Sequence, residues 1–168
     1  MAPPGRALHS SPMTAPDQSW SHCFACGPAE AHGLQLAYRF TGPDALEAAV
    51  TFDARFQGFD GIIHGGILAT ALDDAMANLA CLRGERAVTA ELTARFLKPV
   101  YVGEAVTLRA HVTRRSRQLL LCEGQVLDPS GSVRAEATGK FIITGPLIAP
   151  SAPPAPCRPA NAGEGAGG

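Results

Sequence analysis

The segment His64-Gly65-Gly66-Ile67-Leu68-Ala69-Thr70-Ala71-Leu72-Asp73-Asp74 gathers the residue types best suited to chemistry in this chain. Two glycines open an apolar helical pattern, and two carboxylates follow about two turns inside it. The first turn of a helix carries backbone N–H groups with no internal partner, and its dipole favours negative charge. Donors for a developing oxyanion and a nearby acid/base group are the parts that acyl transfer uses. Glycines inside a helix cost about 1 kcal/mol each, which makes sense where a ligand must approach the backbone.

Helix geometry separates the two carboxylates. At about 100° per residue, Leu68, Leu72, Ala75, Met76, Leu79 and Leu82 form one stripe. Asp73 falls beside it, on a flank of small residues with Ala69, Thr70, Ala77 and Ala80. Asp74 falls on the far side with Asn78 and Cys81, where solvent is expected. Asp73 is therefore the candidate catalytic carboxylate. An acid near a helix start also complements the macrodipole, so spacing alone leaves a structural role open.

The elements that must position these groups follow from hydrophobic period. Leu34, Leu36, Tyr38 and Phe40 predict a strand closed by Gly42-Pro43, and Ala45 to Asp53 its hairpin partner. Gly58 to His64 reads as a loop. The helix is expected from about Gly66 to Leu82, with Gly84 as its stop. Four strands then follow: Val88 to Phe96 with Val88, Ala90, Leu92, Ala94 and Phe96 on one face; Val106 to Val112; Leu119 to Leu127; and Val133 to Ile143. The order β-β-α-β-β-β-β with short turns implies an α+β domain, an antiparallel sheet packed on one helix.

The 168 residues favour one domain. The ends, residues 1–19 and 145–168, are rich in Pro, Ala, Ser and Gly and are expected to be disordered, leaving a folded domain over residues 20–144. A net charge of −1 argues against nucleic-acid binding. No apolar run approaches the roughly 20 residues of a membrane span, and the first residues do not resemble a secretory signal. Five irregularly spaced cysteines, Cys23, Cys26, Cys81, Cys122 and Cys157, suit a reducing cytoplasm better than a disulfide framework. Cys23 and Cys26 form one CxxC beside His22. No second pair at metal-ligand spacing accompanies it, so no metal is expected.

The His-Gly-Gly opening, with Asp73 nine residues after His64, resembles the hotdog-fold acyl-CoA thioesterases. The nearest branch is that of the phenylacetyl-CoA (PaaI-like) thioesterases and the human thioesterase superfamily members. Ala87 to Leu92, Arg95-Phe96-Leu97-Lys98-Pro99, Gly103-Glu104, Asp128 to Gly131, Ala135 to Phe141 and Cys23-Phe24-Ala25-Cys26-Gly27 are similar to other stretches of that family. The likeness covers about Cys23 to Thr144. It implies an antiparallel sheet wrapped around a central helix, and hydrolysis of an acyl-CoA to an acid and free CoA without a cofactor.

By matched position the resemblance makes Asp73 the carboxylate that activates water or attacks the thioester. Gly65 becomes the donor that polarises its carbonyl, with Gly66 beside it, and His64 the histidine next to the thioester. Thr89 matches a hydroxyl residue that in some members holds the hydrolytic water from the neighbouring subunit. Where relatives carry Asn or Gln this chain has Gly58, with Gln57 adjacent. Arg95 and Lys98, or Arg114, Arg115 and Arg117, are candidates for CoA phosphates. The family implies a homodimer or homotetramer with its site at the subunit interface. A non-catalytic acyl-CoA-binding hotdog protein would not need Asp73, and hotdog dehydratases or hydratases use a different His and acid pattern.

Overall fold

The computed structural model describes residues 23–27, 31–81 and 83–146, and the expected tails lie outside them except for Gly145 and Pro146. Six strands and one long helix form: β1 Arg39–Gly42, β2 Ala45–Thr51, α1 Gly65–Cys81, β3 Glu85–Phe96, β4 Ala105–Arg115, β5 Leu119–Leu127 and β6 Val133–Pro146. The strands make one antiparallel sheet in the order β1-β2-β4-β5-β6-β3, so β1 and β3 are its edges. The sheet wraps α1, the hotdog arrangement expected from sequence.

The helix period and the strand period meet in the core. Leu68, Leu72, Ala75, Met76 and Leu79 are buried against Leu108, Leu120, Val126 and Phe141. Burying each large apolar side chain contributes about 1.5–3 kcal/mol. The helix lies close because the facing strand positions are small. A Cβ on Gly124 would sit 3.2 Å from Leu72, and one on Gly139 would sit 2.5 Å from Phe141 and 3.2 Å from Met76. Gly84 ends the helix at φ +66°, a conformation open to glycine.

Three sequence expectations change. Leu34, Leu36 and Tyr38 are buried, but they precede β1, which starts only at Arg39. The N–H groups of Leu34 and Leu36 bond the carbonyls of Phe24 and Ala25 at 2.8 Å each, so this extended segment carries the Cys23–Gly27 turn. At the other end β6 runs two residues past Thr144, to Pro146.

The third change is a register shift in β3. Thr89 pairs with Phe141 and Glu91 with Lys140, which leaves Ala90 as the extra residue of a bulge. Beyond it, Leu92, Ala94 and Phe96 pair with Gly139, Ala137 and Ala135 on the helix-facing side. The bulge puts Thr89 on that same side. Val88 pairs with Ile142 on the outer face, where both are exposed, so Val88 does not share the face of Leu92.

Candidate active site

A short 3-10 turn, Ala54–Phe56, and the loop after it deliver the helix N-terminus. Phe56 packs edge-on to Phe52 at 6.4 Å, anchoring the turn to the core. The loop is then held by backbone bonds: Gly58 N–H to Ile62 O at 2.9 Å, Ile63 N–H to Val100 O at 2.9 Å, and His64 N–H to Phe56 O at 2.9 Å. Gln57 serves this loop too, its Oε1 accepting the Gly61 N–H at 3.1 Å.

His64 precedes the helix and caps it. Its Nδ1 accepts the Gly66 N–H at 2.9 Å, and its carbonyl accepts Ile67 N–H at 2.9 Å. The ring lies in a cradle made by two glycines. A Cβ on Gly66 would come within 2.9 Å of Nδ1, and one on Gly58 within 3.1 Å of Cδ2. Gly66 therefore lends its N–H to His64 rather than to a ligand. The Gly65 N–H has no hydrogen-bond partner among the described residues, which makes it the donor left open at the helix start. Beside it stands the half-exposed ring of Phe96, 3.5 Å from where a Gly65 Cβ would be. From sequence, Phe96 has a place in a strand face and in the family-like stretch Arg95 to Pro99, and no role in the site.

Asp73 sits on the flank that the helical wheel gave it, half-buried. Its Oδ1 accepts the Thr89 hydroxyl at 2.8 Å, a contact that the β3 bulge makes possible. Burial raises the Asp73 pKa above the ordinary carboxylate value, and the Thr89 bond pulls it partly back. A carboxylate whose pKa is lifted toward the working range is a better proton acceptor than a fully solvated one.

Asp74 does not face solvent. Its Oδ2 accepts the hydroxyl of buried Tyr38 at 2.8 Å, and its Oδ1 accepts the thiols of Cys26 and Cys23 at 3.3 and 3.5 Å. The cover comes from a turn about fifty residues earlier, which a helical wheel cannot see. Burial raises the pKa of Asp74, and the three donors oppose the rise.

The remaining candidates lie elsewhere. Arg95 pairs with Glu136 at 2.8 Å on the outer face of the sheet, away from Thr89. Lys98 is exposed just past β3, Arg115 pairs with Glu85, and Arg114 and Arg117 are exposed around the β4–β5 turn. Gly65 and Asp73 are not brought together within one chain. Eight residues of helix separate them by about 12 Å of rise.

A family model described as thioesterase superfamily matches residues 60–135, the span holding α1, Asp73 and Thr89. A putative esterase of Saccharolobus solfataricus is 30% identical over 96 residues, covering 56% of this chain and 68% of that protein. Human acyl-coenzyme A thioesterase 13 is 31% identical over 87 residues, 51% of this chain and 57% of the human one. The chain thus spans little more than half the length of that relative. The E. coli PaaI protein from the phenylacetic acid degradation operon shares the fold with TM-score 0.67 at 23% identity, over 78% of this chain and 92% of that one.

Proposed function

This chain belongs to the thioesterase superfamily, and on that premise we propose that it hydrolyses the thioester of an acyl-CoA to a carboxylic acid and free CoA. The observation that carries the reading is the Asp73 carboxylate, half-buried, raised in pKa and held at 2.8 Å by Thr89. In the proposed reaction the thioester oxygen lies against the Gly65 N–H, where the helix dipole adds to the stabilisation of the oxyanion. Asp73 either takes a proton from the attacking water or attacks the carbonyl carbon itself to give an anhydride that water then opens. The tetrahedral intermediate collapses by expelling the CoA thiolate. Lys98, exposed two residues past Phe96 and in no ion pair among the described residues, would contact a CoA phosphate.

The working unit in this proposal is a pair of chains. A carbonyl whose oxygen accepts from Gly65 has its carbon little more than 1 Å further on, so a base about 12 Å along the same helix cannot serve it. Asp73 of a second copy can. The free edge of β3 supports the pairing: twelve residues of strand are available to a like strand, with Thr89 and Phe96 upon it. A homodimer is then the smallest active form, and a homotetramer built from two such dimers is compatible with it. The reduced thiols of Cys23, Cys26 and Cys122 suit the cytoplasm. Among the described residues, no helix is long and apolar enough to cross a membrane.

Thiol release measured over short, long, branched and aryl acyl-CoAs tests the activity and identifies the acyl group. Turnover of at least one class is expected. Absence of thiol release across the panel, from folded protein, would refute the proposal.

A further inference from the structure

On the back of α1, away from Asp73, two thiols and a carboxylate converge from separate parts of the chain. Cys23 and Cys26 come from the turn that carries Gly27, closed by the Gly27 N–H to Cys23 O bond at 2.8 Å. Asp74 comes from the helix. Their three ligand atoms lie within 4.8 Å of one another. We propose that Cys23 Sγ, Cys26 Sγ and Asp74 Oδ1 bind one zinc ion, with water in the fourth position, and that the ion pins the N-terminal turn to the helix.

The distances suit that ion. Zinc holds sulfur at about 2.3 Å and carboxylate oxygen at about 2.0–2.2 Å, so tetrahedral ligation separates a sulfur from an oxygen by roughly 3.6 Å. The observed separations from Asp74 Oδ1 are 3.3 Å for Cys26 and 3.5 Å for Cys23, each within a few tenths of an ångström of that value. Two sulfur ligands select a thiophilic metal over magnesium or calcium.

The surroundings orient the ligands. Tyr38 O–H fixes the other carboxylate oxygen at 2.8 Å, and Asn78 Nδ2 bonds the Asp74 carbonyl at 2.8 Å while lying 3.8 Å from Cys26 Sγ. The turn itself is held by the backbone bonds to Leu34 and Leu36. No Lys or Arg among the described residues makes an ion pair with Asp74. On binding, both thiols release their protons to solvent, and the ion takes two thiolates and one carboxylate.

The test is metal analysis of the full chain expressed with zinc, kept reduced and gel-filtered, followed by replacement with cobalt(II). About one zinc per chain is expected, falling below about a tenth in the Cys23→Ser/Cys26→Ser double variant. The cobalt form should show a thiolate-to-cobalt charge-transfer band that Asp74→Asn shifts or weakens. A chelator should lower the melting temperature of the parent protein and leave that of the double variant unchanged. Metal-free parent protein without the cobalt band would overturn the proposal. So would equal metal content in the double variant, or a mass two hydrogens low with both thiols missing. None of these readouts depends on thioester hydrolysis.

Discussion

Asp73 and Asp74 are chain neighbours with the same side chain, yet the helix sends them into different chemistry. Asp73 looks toward β3, keeps part of its surface open and has one hydroxyl, Thr89, on it. Asp74 looks toward the Cys23–Gly27 turn and has a phenol and two thiols on it. Burial raises both carboxylates. What separates them is access: a ligand can reach the front of the helix, while the back is closed by protein. One position of helical rotation therefore decides which acid is available to a substrate and which ties the chain together.

The largest effect expected from this division is on rate. Asp73→Asn should lower thiol release by about 10²–10⁴, the worth of a positioned base, while Asp74→Asn keeps most of the activity. Equal losses would erase the distinction. Stability should move the other way. A folded-state carboxyl pKa above the unfolded value stabilises the protein while that group is protonated, and the gain is lost as pH rises through the folded pKa. Above that folded pKa the ionised, half-buried Asp73 is therefore a cost, and there Asp73→Asn should melt at or above the parent temperature.

A smaller effect belongs to Thr89. Thr89→Ala removes the bond that holds the carboxylate, worth about tenfold in kcat for a hydrogen bond to a partly exposed charge. Because that bond lowers the Asp73 pKa, its loss should also move the acid limb of the pH–rate profile upward, and Thr89→Ser should restore it. A rate loss with an unmoved limb would make Thr89 merely structural.

The smallest effect on turnover comes from the back of the helix, where the change is in stability. Asp74→Ala leaves the buried Tyr38 hydroxyl without its acceptor, a loss of about 1–3 kcal/mol. A lower melting temperature with activity retained below it is expected. An unchanged melting curve would mean that the cluster holds nothing together.

Much of this was legible in the sequence because the decisive patterns are local. Period two and period 3.6 located six strands and the helix, and the wheel gave Asp73 its flank. The bulge at Ala90 was not legible, since alternation carries no record of an inserted residue. Only pairing with β6 shows that Thr89 turns inward and Val88 outward. The environment of Asp74 was hidden for a related reason: Cys23, Cys26 and Tyr38 lie 36 to 51 residues away along the chain. A lone CxxC looks unpartnered until the fold supplies its third ligand atom. The competition for helix-start donors, in which His64 takes Gly66 and leaves Gly65, was also decided by conformation rather than residue type.

The central claim is that the Gly65 donor of one copy works with the Asp73 carboxylate of another. Gly65→Pro removes that N–H at the first helical position, where proline is well tolerated, and should cost about 10²–10³ in rate. Co-expression of Gly65→Pro and Asp73→Asn chains bearing different tags allows the mixed dimer to be isolated. One of its two sites is then assembled from unaltered residues, so thiol release should return to about half the parent rate per dimer. A mixed dimer as inactive as either variant alone would contradict the account.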